Sequence, residues 1–217
     1  MVTAYQSPQS SVNQDVQLTV WKFVGGRVCL DFINTVGGRA RGVVIRDKLP
    51  GYPDLLAWSE AAGLITRPEA RALAGHAARN RRAANAVLSR AAALREAIYI
   101  LFRDRRPGDA LAILNRELAV SRGHERIHHT RGGFQWRWDD SPSLDRILWP
   151  VARSAAELLA SSDAQRVRCC DGQDCGWLFL DTSRNGARHW CDMRDCGNRA
   201  KVRRFRERQR TSYPGTR

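Results

Sequence analysis

The sequence predicts an α+β chain: a mainly helical N-terminal domain with short β-hairpins, followed by a treble-clef-like zinc finger. Three observations lead there. Between residues 52 and 161 the apolar residues recur mostly at three- and four-residue intervals, the period of a helix. Two glycine pairs, Gly25-Gly26 before this stretch and Gly132-Gly133 within it, have β-branched and aromatic residues on either side, a signal for short strands and turns. Five of the six cysteines crowd between residues 169 and 196, and an arginine-rich stretch follows at once.

The 217 residues suffice for one ordinary domain and a small second one, and a 43% hydrophobic content supports a packed core. The polar residues 1–15 read as a flexible N-terminus. The start of the chain lacks a basic segment leading into an apolar one, so no signal peptide is expected. No apolar run approaches the ~20 residues that span a bilayer. A cytoplasmic location with no membrane partner is therefore expected, and reduced thiols there favour metal binding over disulfides.

The elements follow in order. Residues 16–36, "VQLTVWKFVGGRVCLDFINTV", suggest a strand, a tight turn, and a second strand or a helix start. Within "LDFINT", Asp31, Asn34 and Thr35 are polar groups in an apolar stretch; they either line a ligand pocket or form caps and turns. Cys29, apolar-flanked, reads as a core residue. Residues 41–53 are a Gly/Pro-punctuated loop. A short helix follows over 53–64, with Asp54 available as N-cap. Another starts at Thr66. Residues 82–103 form a long helix with Val87, Ala91, Leu94, Ile98 and Phe102 on one face, stopped by Pro107-Gly108. Leu111, Leu114 and Leu118 mark one more. Gly132-Gly133 then turns a hairpin. Residues 143–161 return to helical spacing, with Pro150 expected to kink them. His124 and His128 fall in or before the first hairpin strand, a poor second metal site, and Trp58, Trp136, Trp138 and Trp149 read as core.

The finger, 163–217, follows a domain over 16–162. Its cysteines are spaced C-x4-C-x15-C-x4-C: Cys170, Cys175, Cys191 and Cys196. Two short chelating turns of thiolates suit one tetrahedral, structural Zn²⁺ per chain. Buried free thiols or disulfides are the alternatives. Cys169 lacks a matched turn and reads as a bystander; His189 could replace one thiolate or merely flank the metal. Asn185-Gly186 suits a hairpin turn between strands over 177–180 and 187–190. Trp177, Phe179 and Trp190 on that hairpin either pack a small core or offer stacking platforms.

The net charge is +14. Residues 166–217 carry 13 Lys+Arg against 6 Asp+Glu, and residues 67–106 carry 10 against 3. Such blocks attract polyanions, nucleic acid above all, although an arginine-rich solvated face is the competing reading. After Cys196 a helix is expected, with Asn198 as N-cap and with Val202 and Phe205 packed against the hairpin. Arg199, Arg203, Arg206 and Arg210 would form one outward basic row, and Lys201, Arg204 and Arg208 another. Arg184 and Arg188 could neutralise the thiolate site or join these rows on nucleic acid.

The stretches "CGWLFLDTSRNGARHWC" and "CGNRAKVRRF" resemble the CGNR zinc-finger family, named for the motif at Cys196, Gly197, Asn198 and Arg199. "GGRVCLDFINT", "DLLAWSEAAGL" and "GGFQWRW" resemble the ABATE domain that usually precedes this finger. The resemblance implies a bacterial transcription regulator, sometimes called stress-induced, with Cys170, Cys175, Cys191 and Cys196 at the ligand positions. Cys169 departs from the pattern, where a basic residue is more typical. The expected function is a DNA-binding regulator whose N-terminal domain senses a small-molecule effector or forms a homodimer. An RNA-binding zinc protein is the alternative. An enzyme ranks a distant third, because no catalytic motif is present and a four-thiolate zinc has no open position.

Overall fold

The structure, a computed structural model, describes residues 21–42, 44–104 and 107–212, and their side chains except those of Arg41 and residues 210–212. The expected flexible segment 1–15, the start of the first expected strand and the Arg210 side chain lie outside the described residues.

Seven helices and three separate two-stranded antiparallel ribbons make up the described residues, besides short 3₁₀ and π-helical turns. The N-terminal stretch resolves as a helix start: α1 (Val28–Ile33) leads into β1 (Val36–Gly37), which pairs with β2 (Arg46–Asp47) inside the expected loop. Then come α2 (Tyr52–Ala61), α3 (Arg67–Arg79), α4 (Arg81–Arg103) and α5 (Gly108–Arg122). The hairpin β3 (Glu125–Thr130) and β4 (Gly133–Trp138) precedes α6 (Trp149–Leu159). The finger contributes β5 (Val167–Cys169), β6 (Leu178–Leu180) and α7 (Asn198–Ser212).

Local chemistry sets the helix ends. Thr66 and Glu69 form a reciprocal capping box at α3, with Thr66 N–H donating to Glu69 Oε2 at 2.6 Å. Asp54 sits three residues inside the cap of α2, where it accepts from Gly51 N–H at 3.0 Å. Pro150 does not kink a helix. It opens α6, where a missing N–H removes no intrahelical bond, and the residues before it form a 3₁₀ turn, Leu144–Ile147.

Helix α4 is the axis of the domain. Its buried stripe, Ala84, Val87, Ala91, Leu94, Ile98 and Leu101, has the spacing expected of it, and α1, α2, α3, α5 and α6 pack around it. Two of its arginines are committed internally. Arg90 joins Glu117 of α5 and Asp145, both at 2.8 Å. Arg95, buried, forks onto Asp47 of β2 and also donates to Thr35 Oγ1. Two cations of the 67–106 basic block, Arg90 and Arg95, thus serve the fold, while Arg67, Arg71, Arg79, Arg81, Arg82 and Arg103 are exposed.

Trp58 and Trp149 are buried as expected, whereas Trp136 stands out on the β3–β4 hairpin, 57% exposed. The hairpin is anchored at its base, where His124 stacks on Trp149 at 3.8 Å and pairs with Asp139.

The core does not stop at residue 162. Leu178 and Leu180 of β6 are buried in the same cluster as Leu30, Ile33, Leu55 and Ile98. Val167 and Cys169 pack against it. The finger therefore rests on the helical domain through shared apolar burial.

Candidate metal centre and nucleic-acid interface

The first cysteine turn lies between β5 and β6, and the second lies just before α7. Cys170 N–H donates to Trp177 carbonyl oxygen at 2.8 Å, so the ribbon closes the first turn. The π-helical turn Met193–Gly197 carries Cys196 into α7. The Sγ atoms of Cys170, Cys175, Cys191 and Cys196 all lie within 4.8 Å of one another. Cys175–Cys191 is 3.6 Å and Cys191–Cys196 is 3.7 Å. A tetrahedral zinc with bonds of about 2.3 Å requires sulfur–sulfur edges of about 3.8 Å. The donor set and its size therefore fit one structural Zn²⁺. Cys170 Sγ accepts from the backbone N–H groups of Cys191 at 3.3 Å and Gly172 at 3.4 Å, contacts that favour a thiolate at this position.

The other candidates fall outside this tetrad. Cys169 faces the main core, and burial raises its thiol pKa. Cys29 is fully buried, its thiol pushed up to about 12. His189 is exposed and pairs with Asp171 at 2.9 Å.

Strand β6 is buried on both faces because neighbouring side chains point opposite ways. Leu178 and Leu180 enter the domain core, while Phe179 enters a second, small core of Cys170, Cys191 and Cys196. Trp177 and Trp190 pack against that small core, as the core reading of these rings expects.

The expected strand over 187–190 does not form. One edge of β6 is taken by β5. The other is taken by the N-terminal domain: Leu180 N–H donates to Gly25 carbonyl oxygen at 2.8 Å, and the Asn34 side-chain amide both accepts from Leu178 N–H at 3.0 Å and donates to Leu178 carbonyl oxygen at 2.8 Å. Residues 183–188 are instead organised by Asp181, which accepts from the N–H groups of Ser183 and Arg188 and from Ser183 Oγ. Gly186 takes its left-handed turn within that loop.

The same junction holds more. Trp177 Nε1 donates to Val36 carbonyl oxygen at 2.8 Å, and Lys22 meets Asp195 at 2.6 Å. Gly176, at φ 69°, lies so near the turn Arg39–Arg41 that a Cβ there would sit 2.5 Å from Ala40 N. The expected pocket residues belong to this junction. Asp31 accepts from Gly25 N–H, Asn34 grips β6, and Thr35 donates to Phe32 carbonyl oxygen. Their polar atoms are thus engaged by the protein, and these contacts give a ligand pocket at the three no support. A more open cleft of about 660 Å³ does lie at the junction, lined among others by Lys22, Arg46, Lys48, Trp177, Asp192 and Asp195. Sequence reasoning missed Asn34 as a fastener. Its signal was an amide within an apolar run, but its partner lies 144 positions away.

The basic residues divide into two groups. Arg188 is structural: it donates to the carbonyl oxygens of Trp190, Cys191 and Val24 and lies over the Phe179 ring at 4.3 Å. Arg184 is exposed on the loop. Arg199 meets Asp195 at 2.7 Å and approaches Cys196 Sγ at 3.8 Å, beside the thiolate charge.

From Lys201 to Gln209 every residue of α7 is exposed, so the helix projects from the finger. Val202 and Phe205, expected to pack inward, are 48% and 61% exposed. The inward position belongs to Ala200, and Arg203 donates to Gln173 Oε1 at 3.0 Å on that side. The helix is turned relative to expectation because no hairpin strand over 187–190 exists to receive Val202 and Phe205. Lys201, Arg204, Arg206 and Arg208 are exposed along the projection.

Comparison with known families agrees with this division of the chain. A CGNR zinc-finger family model matches residues 166–209. No curated protein matches the chain significantly. No described helix is long and apolar enough to cross a membrane. A second family model, described as "Putative stress-induced transcription regulator", matches residues 26–162, the helical domain together with its hairpins. With its core, junction and thiolate tetrad, the chain belongs to this ABATE family, carrying a CGNR zinc finger at its C-terminal end.

Proposed function

We propose that this chain is a DNA-binding transcription regulator of the cytoplasm, in which zinc builds the finger and α7 contacts the duplex. The observation that carries this reading is α7 itself: a helix fixed at one end by a metal turn, projecting into solvent, and lined with cations. Guanidinium groups keep their charge and fork onto phosphates or guanine edges. The zinc serves architecture, because four thiolates leave no open coordination position, and the chain is read as non-enzymatic on that ground.

The N-terminal domain is read as the regulatory part, sensing a ligand or pairing with a second copy. Two observations support this. The junction cleft is shared by both parts of the chain, so an occupant there would touch the finger directly. The β3–β4 hairpin carries Ile127, Phe134 and Trp136 exposed on one face, apolar surface that a second copy could cover. RNA is the second reading, favoured by those exposed rings and Phe205 as stacking platforms.

The test is binding of the zinc-loaded full chain to duplex DNA, single-stranded DNA and RNA across a salt series. Affinity for duplex should fall steeply with salt, by a log–log slope of roughly 0.9 per neutralised phosphate. Replacing Lys201, Arg206 and Arg208 together by Ala should reduce that slope by about 2.7 with zinc retained. An unchanged slope and affinity would remove α7 as the contact. Tighter binding to single-stranded RNA would decide for the second reading.

A further inference from the structure

The orientation of α7 carries a sharper statement about what it reads; this rests on the reading of α7 as a nucleic-acid contact. Ala200, 6% exposed, and Arg203, bonded to Gln173, define the side that faces the finger. A helix advances about 100° per residue. Asn198, Val202, Phe205 and Gln209 therefore fall on the far side, at intervals of four, three and four residues. Lys201 and Arg208 border this strip on one edge, and Arg199 and Arg206 border it on the other. The projection is thus an apolar and amide stripe between two cationic edges.

That pattern matches one polyanion better than others. A helix with its side chains is about 10–12 Å across, which fits the ~12 Å width of the B-DNA major groove when the axis lies along it. Cations on both edges suit the two phosphate backbones that flank that groove. In its floor each thymine presents a C5-methyl group, an apolar target for Val and Phe side chains, and adenine presents the N6/N7 pair that suits an amide. Gln209 is the better-placed amide, because Asn198 Nδ2 already donates to Arg194 carbonyl oxygen at 3.1 Å. An A-form RNA major groove is too deep and narrow for side chains to read, and uracil lacks the methyl group. We infer that the Val202–Phe205 strip reads thymine methyl groups in the major groove of a duplex DNA site containing T·A pairs.

The experiment begins with the zinc-loaded full chain and a randomised duplex pool. Selection should return a site with thymines at its centre. Each thymine is then replaced by deoxyuridine, which deletes the methyl group and leaves the pairing intact. Burial of one methyl group contributes about 0.8 kcal/mol, so wild-type affinity should fall roughly fourfold at each contacted position. The Phe205→Ala variant should bind the thymine duplex more weakly and lose its response to deoxyuridine at one or more positions. Its zinc content and melting temperature should match wild type, because Phe205 is exposed. Phe205→Leu, which keeps apolar contact, should retain part of the response. Equal wild-type affinity for thymine and deoxyuridine duplexes overturns the inference, as does a selected site made of G·C pairs alone. Failure to bind any duplex appears at the selection step and sinks the DNA reading as well, so the two failures are distinguishable.

Discussion

Replacing Asn34 by Ala should loosen the finger from the domain. The Asn34 amide occupies one strand edge of β6, with bonds of 2.8 and 3.0 Å to the carbonyl oxygen and N–H of Leu178, and Asn34 itself is only 3% exposed. Truncation leaves both backbone groups without partners in a buried setting. Each orphaned group costs about 1–3 kcal/mol, so the pair costs roughly 2–6 kcal/mol. In a chain of this size each kcal/mol lowers the melting temperature by about 2–4 °C, which predicts a drop of roughly 4–24 °C. Thermal unfolding of the zinc-loaded chain measures this, and the rate of zinc transfer to a chromophoric chelator reports the finger separately. That rate should rise, since the bonds lost lie on the strand that supports the first cysteine turn. Asn34→Asp gives a second check: it keeps the acceptor for Leu178 N–H but sets a carboxylate against Leu178 carbonyl oxygen, so it should be no better than Ala at neutral pH. An Asn34→Ala chain within 1 kcal/mol of wild type, with unchanged zinc transfer, would refute the argument that this amide fastens the finger.

Three other substitutions test the site and its support. Cys191→Ser should reduce bound zinc well below one equivalent by elemental analysis, whereas Cys169→Ser should leave it at one; loss of metal from the second variant would move the ligand to Cys169. Burial raises the Asp31 carboxyl to about 6, against the lowering effect of the Gly25 and Val24 N–H groups. A raised folded-state pKa means the folded chain holds this proton more tightly than the unfolded one. The contribution is therefore fully present below about pH 4 and is lost as pH rises through 6. Asp31→Asn should abolish that slope and be more stable than wild type at pH 8, by roughly 1–3 kcal/mol in chemical denaturation. A variant no more stable at pH 8 would show that the carboxylate is well accommodated as it stands.

The metal site was legible in the sequence because its information is local. Cys170 and Cys175, and Cys191 and Cys196, are each brought together by one short turn, so spacing points to the four donors, and the structure then sets His189 aside. Helices α3 and α4 were legible for a related reason: the Thr66–Glu69 box and the stripe from Val87 to Ile98 repeat within a few residues of chain. Asn185-Gly186 was misleading although its local signal was sound. The dipeptide does turn, but the strand partner it implied had no free edge on β6 to join. Asp54 and Pro150 show the smaller errors of one helical turn that local signals leave.

The sequence by itself determined the helical domain, the thiolate tetrad and the basic helix that follows it, since each depends on residues at most a few turns apart. Only the tertiary structure decided that β6 is shared, with Leu178 and Leu180 in the domain core and Phe179 beside the metal, and that Asn34 fastens it from 144 positions away. It also decided the rotation of α7. A helix with arginines on several faces carries little periodic signal for burial, and the inward side was set by what the finger offered: a place for Ala200 and a partner for Arg203. Val202 and Phe205 were left facing solvent for that reason, because packing is settled by complementary surfaces that exist only once the chain has folded.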